Sequence, residues 1–298
     1  TVLSRGLGDV YKRQPIMPLS EASVILLGTG TSSGVPVLGC DCSVCTSTDP
    51  RDQRLRTSAA LRFQDPDGHF REMLIDCGPD LRHQALRAGL RRCDGIFVTH
   101  HHVDHIYGLD EVRRFNALMK EPIDLFAEER TLDAIHRVYR HIFDAAKNLN
   151  PSFVAHVRTH RVTTDGSVSR MGIRATPIRL LHGKMPILGW RFDAVDASGA
   201  ALNDVPGPFP FAWCTDCSAI PPESWPRLEG LRHLFLDMLR PRSHPTHFCL
   251  DESLAVAEKV AAKQTWFIHM SHDVAHAALE ASLPSGIAPA YDGLVVSG

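Results

Sequence analysis

Short apolar runs, each bounded by turn residues, recur through the first third of the chain. Runs of this length and composition predict β-strands rather than helices. The predicted strands are 23–27, 59–63, 72–75 and 95–98. Asp65–Gly68 has the composition of a tight turn and predicts a hairpin between the second and third strands. Helical spacing of the apolar residues predicts helices at 80–90 and 109–119.

The remainder of the chain keeps this alternation of strand and helix. An amphipathic stretch at 128–146 predicts a helical insertion beside the core. The elements predicted after it are strands at 172–178, 188–193, 209–213, 233–236 and 266–268 and a helix at 250–262. Because no internal repeat, low-complexity segment or linker divides the sequence, we predict one mixed α/β domain over 16–298.

Composition and charge narrow the class of protein. The chain is 44% hydrophobic and 22% charged, and it has no unbroken apolar run long enough to cross a bilayer. A formal net charge of -2 gives no overall attraction to polyanions, so long nucleic acids are not expected as partners. We expect a small-molecule substrate and no membrane association, and we leave a homodimer open.

The amino-terminal residues bear on location and on the domain boundary. They lack the basic start, apolar stretch and cleavage site of a secretory signal, so we expect a cytoplasmic protein. The run Asp9–Gln14 resembles a translated sequencing adapter. Residues 1–15 are therefore predicted to be a non-native tail outside the fold.

A cluster of histidines follows the predicted strand at 95–98 and precedes a predicted helix. Residues two apart in an extended segment project to the same side, so His100 and His102 can converge on one metal ion. Asp104 and His105 lie where the chain turns into the helix and can reach a second metal ion. His101 points the other way and is left out of the metal set. The alternative is a solvated polar loop, which the strand and helix context disfavours.

Three of the eight cysteines are crowded into one loop, at Cys40, Cys42 and Cys45. Their spacing lets three thiolates face one zinc ion, and His272 is the candidate for the fourth ligand. A site closed in this way has no open position and is structural. The alternative is three reduced surface cysteines, which would be liable to oxidation. A separate C-x-x-C at 214–217 has no companion pair, so a redox or zinc function is not favoured there.

The histidine cluster resembles the H-x-H-x-D-H motif of the metallo-β-lactamase superfamily, whose fold is a four-layer αββα sandwich. The resemblance extends over the chain from about Ser23 to Val296 and implies further ligands, each at a strand end: His182, Asp216 and His269. It also implies that Asp76 orients the ligand loop, and the alternative for Asp76 is an aspartate that caps a turn. The full set that would hold two divalent ions, zinc or manganese, is His100, His102, Asp104, His105, His182, Asp216 and His269.

Several further motifs are similar to one subgroup, which contains the phosphoribosyl cyclic phosphate phosphodiesterase of phosphonate breakdown. The shared features are Gly28-Thr-Gly30, the cysteine loop, His269-x-Ser-His272, Leu283-Pro-Ser-Gly286 and Tyr291-Asp-Gly293. The resemblance implies a structural zinc on the cysteine loop and a general acid before the last long helix. His247 matches that acid, with His244 as the competitor, and Asp104 is the second residue to which we assign a catalytic role.

The activity implied is hydrolysis of a small cyclic phosphate or nucleotide-like diester by a hydroxide that two metal ions activate. Residues 51–58 and the spacing around His247 depart from the phosphonate enzyme, so the exact substrate stays open. Arg54, Arg56 and Lys184 are candidates for binding a phosphate, with solvated surface charge as the alternative. Alternative functions are a thioester or lactone hydrolase, a non-enzymatic zinc protein of cofactor biosynthesis, and transfer-RNA 3′ processing, which the acidic balance disfavours.

Overall fold

The computed structural model describes residues 20–144, 153–202 and 205–298. The predicted tail at 1–15 lies outside the described residues, as do residues 145 and 146 of the predicted helical stretch. Within these ranges, no helix combines the length and the apolar character that a membrane span requires.

In the described part of the chain, seven strands form the first sheet, in the order β14-β1-β2-β3-β4-β5-β6. Their bounds are β1 (Ser20–Gly28), β2 (Ser58–Gln64), β3 (Phe70–Ile75), β4 (Gly95–Phe97), β5 (Ile123–Ala127), β6 (Val157–Arg161) and β14 (Val295–Val296). The β2 and β3 strands are antiparallel, with Ala60 opposite Leu74, which confirms the predicted hairpin. From β3 to β6 each strand runs parallel to its neighbour.

The second sheet also has seven strands among the residues that the structure describes, in the order β13-β12-β11-β10-β9-β8-β7. Their bounds are β7 (Val168–Arg170), β8 (Ile173–His182), β9 (Met185–Ala194), β10 (Phe211–Cys214), β11 (His233–Asp237), β12 (Gln264–Ile268) and β13 (Ile287–Pro289). The strands from β10 to β13 are parallel, whereas β9 is antiparallel to both β8 and β10. Consequently β8, β10, β11 and β12 all end at the same edge of this sheet.

Helices cover the outer face of each sheet. They are α1 (Leu81–Ala88), α2 (Val103–Ile106), α3 (Arg113–Met119), α4 (Glu129–Val138), α5 (Arg140–Phe143), α6 (Leu250–Val260) and α7 (His276–Ser282). One apolar core lies between the sheets, where Phe97 stacks on Phe126 at 5.1 Å and meets Trp190 edge-on. A second core lies under α1–α5 and a third under α6 and α7. The three cores separate four layers, which confirms the predicted αββα sandwich.

Some elements differ from the sequence prediction. The helical stretch predicted at 128–146 consists of α4 and α5, and the break is at Tyr139, whose backbone leaves the helical region while its hydroxyl donates to Ile106 O at 2.9 Å. The predicted helix at 109–119 begins as a 3₁₀ turn over Leu109–Val112. The β5 and β6 strands were not predicted, because Asp124 interrupts the apolar run of one and the other is an edge strand with mostly polar residues.

Candidate metal centre

The first group of site residues is His100, His102 and His182, which come from the loop after β4 and the end of β8. One ring nitrogen from each lies within 4.8 Å of the others. His100 Nδ1 is 3.0 Å from the hydroxyl of Thr99, and His182 Nδ1 donates to Thr246 O at 2.9 Å. These bonds occupy the Nδ1 atoms, so the Nε2 atoms are left to face the centre.

The second group is Asp104, His105, Asp216 and His269, again with one donor atom from each within 4.8 Å of the others. Asp216 Oδ2 lies 3.2 Å from His105 Nε2, and Asp216 Oδ1 lies 3.1 Å from His269 Nε2. Asp216 Oδ1 is also 4.0 Å from His100 Nε2 in the first group. The carboxylate of Asp216 therefore lies between the two groups, with Oδ1 near residues of both and Oδ2 facing His105 of the second.

The chemistry of these side chains fits divalent metal ions. Among the described residues, the buried Nε2 atoms of His100, His105 and His269 have no hydrogen-bond partner. Burial holds the pKa of His100 well below its usual value, so this ring is neutral, as a metal ligand must be. Burial also raises the pKa of Asp216, but the charges of His269 and His105 outweigh it and hold that pKa well below its usual range. Burial lowers the pKa values of His105 and His269, but the carboxylates around these rings outweigh it and raise both values. Because divalent ions bind neutral imidazoles and ionised carboxylates, metal binding at the second group would release the protons of these two rings.

Asp76, directly after β3, supports the second group from behind. Its carboxylate is fully buried and lies 2.7 Å from His105 Nδ1. It also accepts from the backbone N–H and the hydroxyl of Thr99, both at 2.8 Å. A carboxylate in this position fixes the tautomer of the histidine and aims its Nε2 at the metal. The contacts are those that the resemblance implied for Asp76.

Three residues of the centre have left-handed backbone conformations, with φ of 60° at Asp76, 55° at Asp216 and 62° at His269. Each follows a strand closely, and the positive φ turns the chain sharply out of the sheet there. Such a conformation is uncommon for residues other than glycine and is frequently found at functional sites.

His247 lies beside both groups and is buried. Its ring stacks on that of His269 at 4.8 Å and meets that of His182 edge-on at 4.6 Å. Its Nδ1 is 3.3 Å from Asp237 Oδ2, and Asp237 Oδ1 is 3.4 Å from His269 Nδ1. The competitor His244 is half-buried and contacts Thr246 and the ring of His247.

Asp237 was missed by the sequence analysis. It is fully buried and contacts two candidate site residues, and it also accepts from the backbone N–H of Phe248 at 3.1 Å. The signal that identifies it is its place at the end of the apolar strand β11, which matches the positions of Asp76 and Asp216 after their strands.

The cysteine loop and His272 form a group of their own, separate from the two ligand groups described above. His272 Nδ1 lies 3.3, 3.6 and 3.4 Å from the Sγ atoms of Cys40, Cys42 and Cys45, respectively. The backbone N–H of Cys45 donates to the sulfur of Cys42 and helps to lower the pKa of that thiol to about 6. Three sulfurs and one imidazole nitrogen form a donor set that suits zinc.

Two of the three basic residues proposed as phosphate ligands are already paired with other groups. Arg54 is neither a surface residue nor a ligand facing the centre, because its side chain is buried and bonded to Asp52 and two backbone carbonyls. Arg56 pairs with Asp80, and Lys184 is exposed. The C-x-x-C sulfurs at 214–217 are both buried in the core beneath α6, which raises their pKa and keeps them as thiols.

A family model described as "Beta-lactamase superfamily domain" matches residues 71–270, about two thirds of the chain. The chain belongs to this superfamily. Within it, the chain is 40% identical to the protein in a crystal structure described as a new diphosphatase from the PhnP family. That similarity covers 93% of this chain and 97% of the other, with a TM-score of 0.80. The superfamily and the subgroup predicted from the motifs are thus confirmed.

Two curated relatives have different names. An octanoyltransferase of Porphyromonas gingivalis is 34% identical over 91% of this chain, but the chain spans only 50% of that relative's length. Coenzyme PQQ synthesis protein B of Methylobacterium nodulans is 27% identical over 72% of this chain and 71% of its own. The proteins similar to this chain are therefore named for different functions: a transferase, a protein of cofactor synthesis and a diphosphatase.

Proposed function

We propose that this protein is a metal-dependent phosphodiesterase that hydrolyses a small cyclic phosphate or a nucleotide-like diester. The observation that carries the proposal is the position of Asp216, whose carboxylate lies near residues of both groups of ligands. The 40% identity to a diphosphatase of the PhnP family supports a phosphate ester rather than a thioester or lactone as substrate.

The proposed centre holds two divalent ions, zinc or manganese. His100, His102 and His182 would hold one, Asp104, His105 and His269 the other, and Asp216 would bridge them. When bound, the ions supply an activated water nucleophile and neutralise charge on the phosphoryl oxygens. The cysteine loop and His272 would hold a structural zinc ion.

The protein's own acid–base chemistry is assigned to His247. Asp237 accepts from Nδ1 of His247, which leaves Nε2 on the opposite side of the ring. The rings of His182 and His269 flank His247, so a substrate held between the two ligand groups lies within its reach. Protonated His247 would donate its proton to the departing alkoxide as a general acid.

The test measures metal content and hydrolysis on the same preparations. Purified protein is assayed against bis-p-nitrophenyl phosphate, cyclic nucleotides and a panel of thioesters. We expect diester hydrolysis that depends on divalent metal, with more than one ion per chain in addition to the structural zinc. Turnover of thioesters alone would overturn the proposal. A single tightly held zinc per chain under metal-replete conditions would favour the binding protein of cofactor biosynthesis.

Variants separate the residues of the centre from their neighbours. Asp104→Ala removes a carboxylate that lies 3.3 Å from His105 Nε2, and we expect it to abolish hydrolysis. His247→Ala should slow hydrolysis and leave the metal content unchanged. His101→Ala is the matched control, because His101 lies in the same loop but outside both ligand groups. Unchanged turnover in Asp104→Ala would contradict the assignment of the centre.

A further inference from the structure

Arg54 is a charged residue with no side-chain exposure and no place in the proposed chemistry. It lies between the cysteine loop and β2, and its backbone pairs with Val35 in both directions at 2.8 Å. Burying a guanidinium is costly unless its donors are directed at acceptors. In Arg54 this holds for Nη1 and Nη2, whereas the buried Nε has no partner among the described residues. The groups that Arg54 bonds therefore indicate which part of the structure it holds in place.

All of those partners belong to two segments. Arg54 Nη1 donates to Ser271 O at 3.0 Å, and Nη2 donates to Val274 O at 2.8 Å. Nη2 also donates to Asp52 Oδ1 at 3.1 Å, and the same oxygen accepts from His276 N at 2.8 Å. Arg54 and Asp52, here called the clamp pair, thus hold the backbone from 271 to 276 at three points.

His272 lies inside the span that the clamp pair holds. Its Nδ1 is 3.3 to 3.6 Å from the three cysteine sulfurs, although it is more than 220 residues away from them in sequence. Just beyond it, Ala275 packs against the small apolar cluster of Val35, Val44 and Cys45. The position of His272 relative to the thiolates therefore depends on how the 271–276 segment is held.

We propose that Arg54, with Asp52, is a positioning residue that aims His272 at the three thiolates and so retains the metal ion bound there. The inference rests on the structural zinc site of the proposed function but does not depend on any hydrolytic activity. Arginine suits this task because its planar fork reaches several acceptors at once, whereas lysine offers a single ammonium group.

The test follows release of cobalt from the cysteine site. Protein is loaded with Co²⁺, whose thiolate charge-transfer absorption reports only on the site that contains sulfur, and the decay of this absorption is followed in excess EDTA. In Arg54→Lys we expect release to be about 10–100-fold faster than in the wild-type protein, which is the usual effect of losing a residue that orients a metal ligand.

Arg62→Lys is the matched control. Arg62 also pairs with a buried carboxylate, that of Glu72, but it lies on β2 and its partners are outside the cysteine site. The control should release cobalt at the wild-type rate. The proposal fails if Arg54→Lys releases cobalt at the wild-type rate, or if Arg62→Lys accelerates release as much, since the effect would then be general loosening of the fold.

Asp52→Asn provides a second route if Arg54→Lys does not fold. It keeps an oxygen that can accept from Arg54 and from His276 N but removes the buried negative charge. We expect faster release than in the wild-type protein, and release at the wild-type rate would overturn the proposal. Absence of hydrolysis in the wild-type protein would count against the proposed function while leaving the cobalt readout valid.

Discussion

The substitution Asp76→Asn tests whether the carboxylate behind His105 controls metal binding at the second ligand group. Asparagine has the same size, tolerates a left-handed backbone, and can still accept from the backbone N–H of Thr99. Its amide, however, would place an N–H donor where the carboxylate accepts from His105 Nδ1. The ring would then favour the tautomer with its proton on Nε2, the atom that faces Asp216.

The size of the effect follows from the bond that is lost. His105 Nδ1 and Asp76 Oδ2 are 2.7 Å apart and both fully buried, as expected for a strong bond to a charged group. Such bonds contribute about 1.5–3 kcal/mol. At about 1.4 kcal/mol for each factor of ten, this predicts a loss of metal affinity of about 10–100-fold.

Equilibrium dialysis against Mn²⁺ or Zn²⁺ measures the affinity directly, and the dependence of diester hydrolysis on free metal provides a second measurement. Asp65→Asn is the control, because Asp65 is also a buried carboxylate with backbone and arginine partners but lies in the β2–β3 turn. We expect its metal affinity to match that of the wild-type protein. If Asp76→Asn binds metal as tightly as the wild-type protein, the tautomer argument is wrong.

Three further predictions concern other parts of the molecule. His247→Gln should lower turnover about 10²–10⁴-fold at unchanged metal content, and a loss of bound metal, measured by elemental analysis, would instead identify His247 as a ligand. Cys42→Ser should remove the structural zinc and lower the thermal unfolding midpoint, and an unchanged zinc content would contradict the closed site. Burial, aided by Arg232, lowers the pKa of His233 to about 4, whereas the unfolded chain protonates near 6.5. Above about pH 6.5 the ring is neutral in both states, so the difference in pKa costs no stability. As the pH falls from about 6.5 towards 4, protonation of the unfolded chain lowers the free energy of unfolding by at most about 3 kcal/mol. Urea unfolding at several pH values should show a shallower decline in His233→Asn.

The residues of the candidate centre were largely predictable because each lies at the end of an apolar strand or in the loop and short helix that follow β4. His182, Asp216 and His269 all follow runs whose burial is evident from composition, and the chain order of the motifs matched the superfamily. Asp237 has the same kind of position, but no spacing motif surrounds it, so the strand end was its one signal in the sequence and its contacts with His247 and His269 show its place in the site.

Arg54 shows what local sequence cannot convey. A basic residue in a polar stretch is typical of a solvated surface, and the partners that bury it are two carbonyl groups more than 200 residues away in sequence. The β6 strand is a similar case. Its residues are mostly polar, and it is a strand because its backbone pairs with β5 from Ile123 to Ala127.

The left-handed conformations at Asp76, Asp216 and His269 have a consequence for engineering this protein. Sparsely populated backbone conformations cost about 1–3 kcal/mol each, and glycine would relieve most of that cost. Laboratory evolution that selects only for a higher melting temperature would therefore favour glycine at any of these positions where the side chain's own bonds contribute less than the backbone strain costs. The resulting variants would be more stable but inactive. Stabilising libraries for this chain need to hold the three positions fixed or to select for turnover in every round.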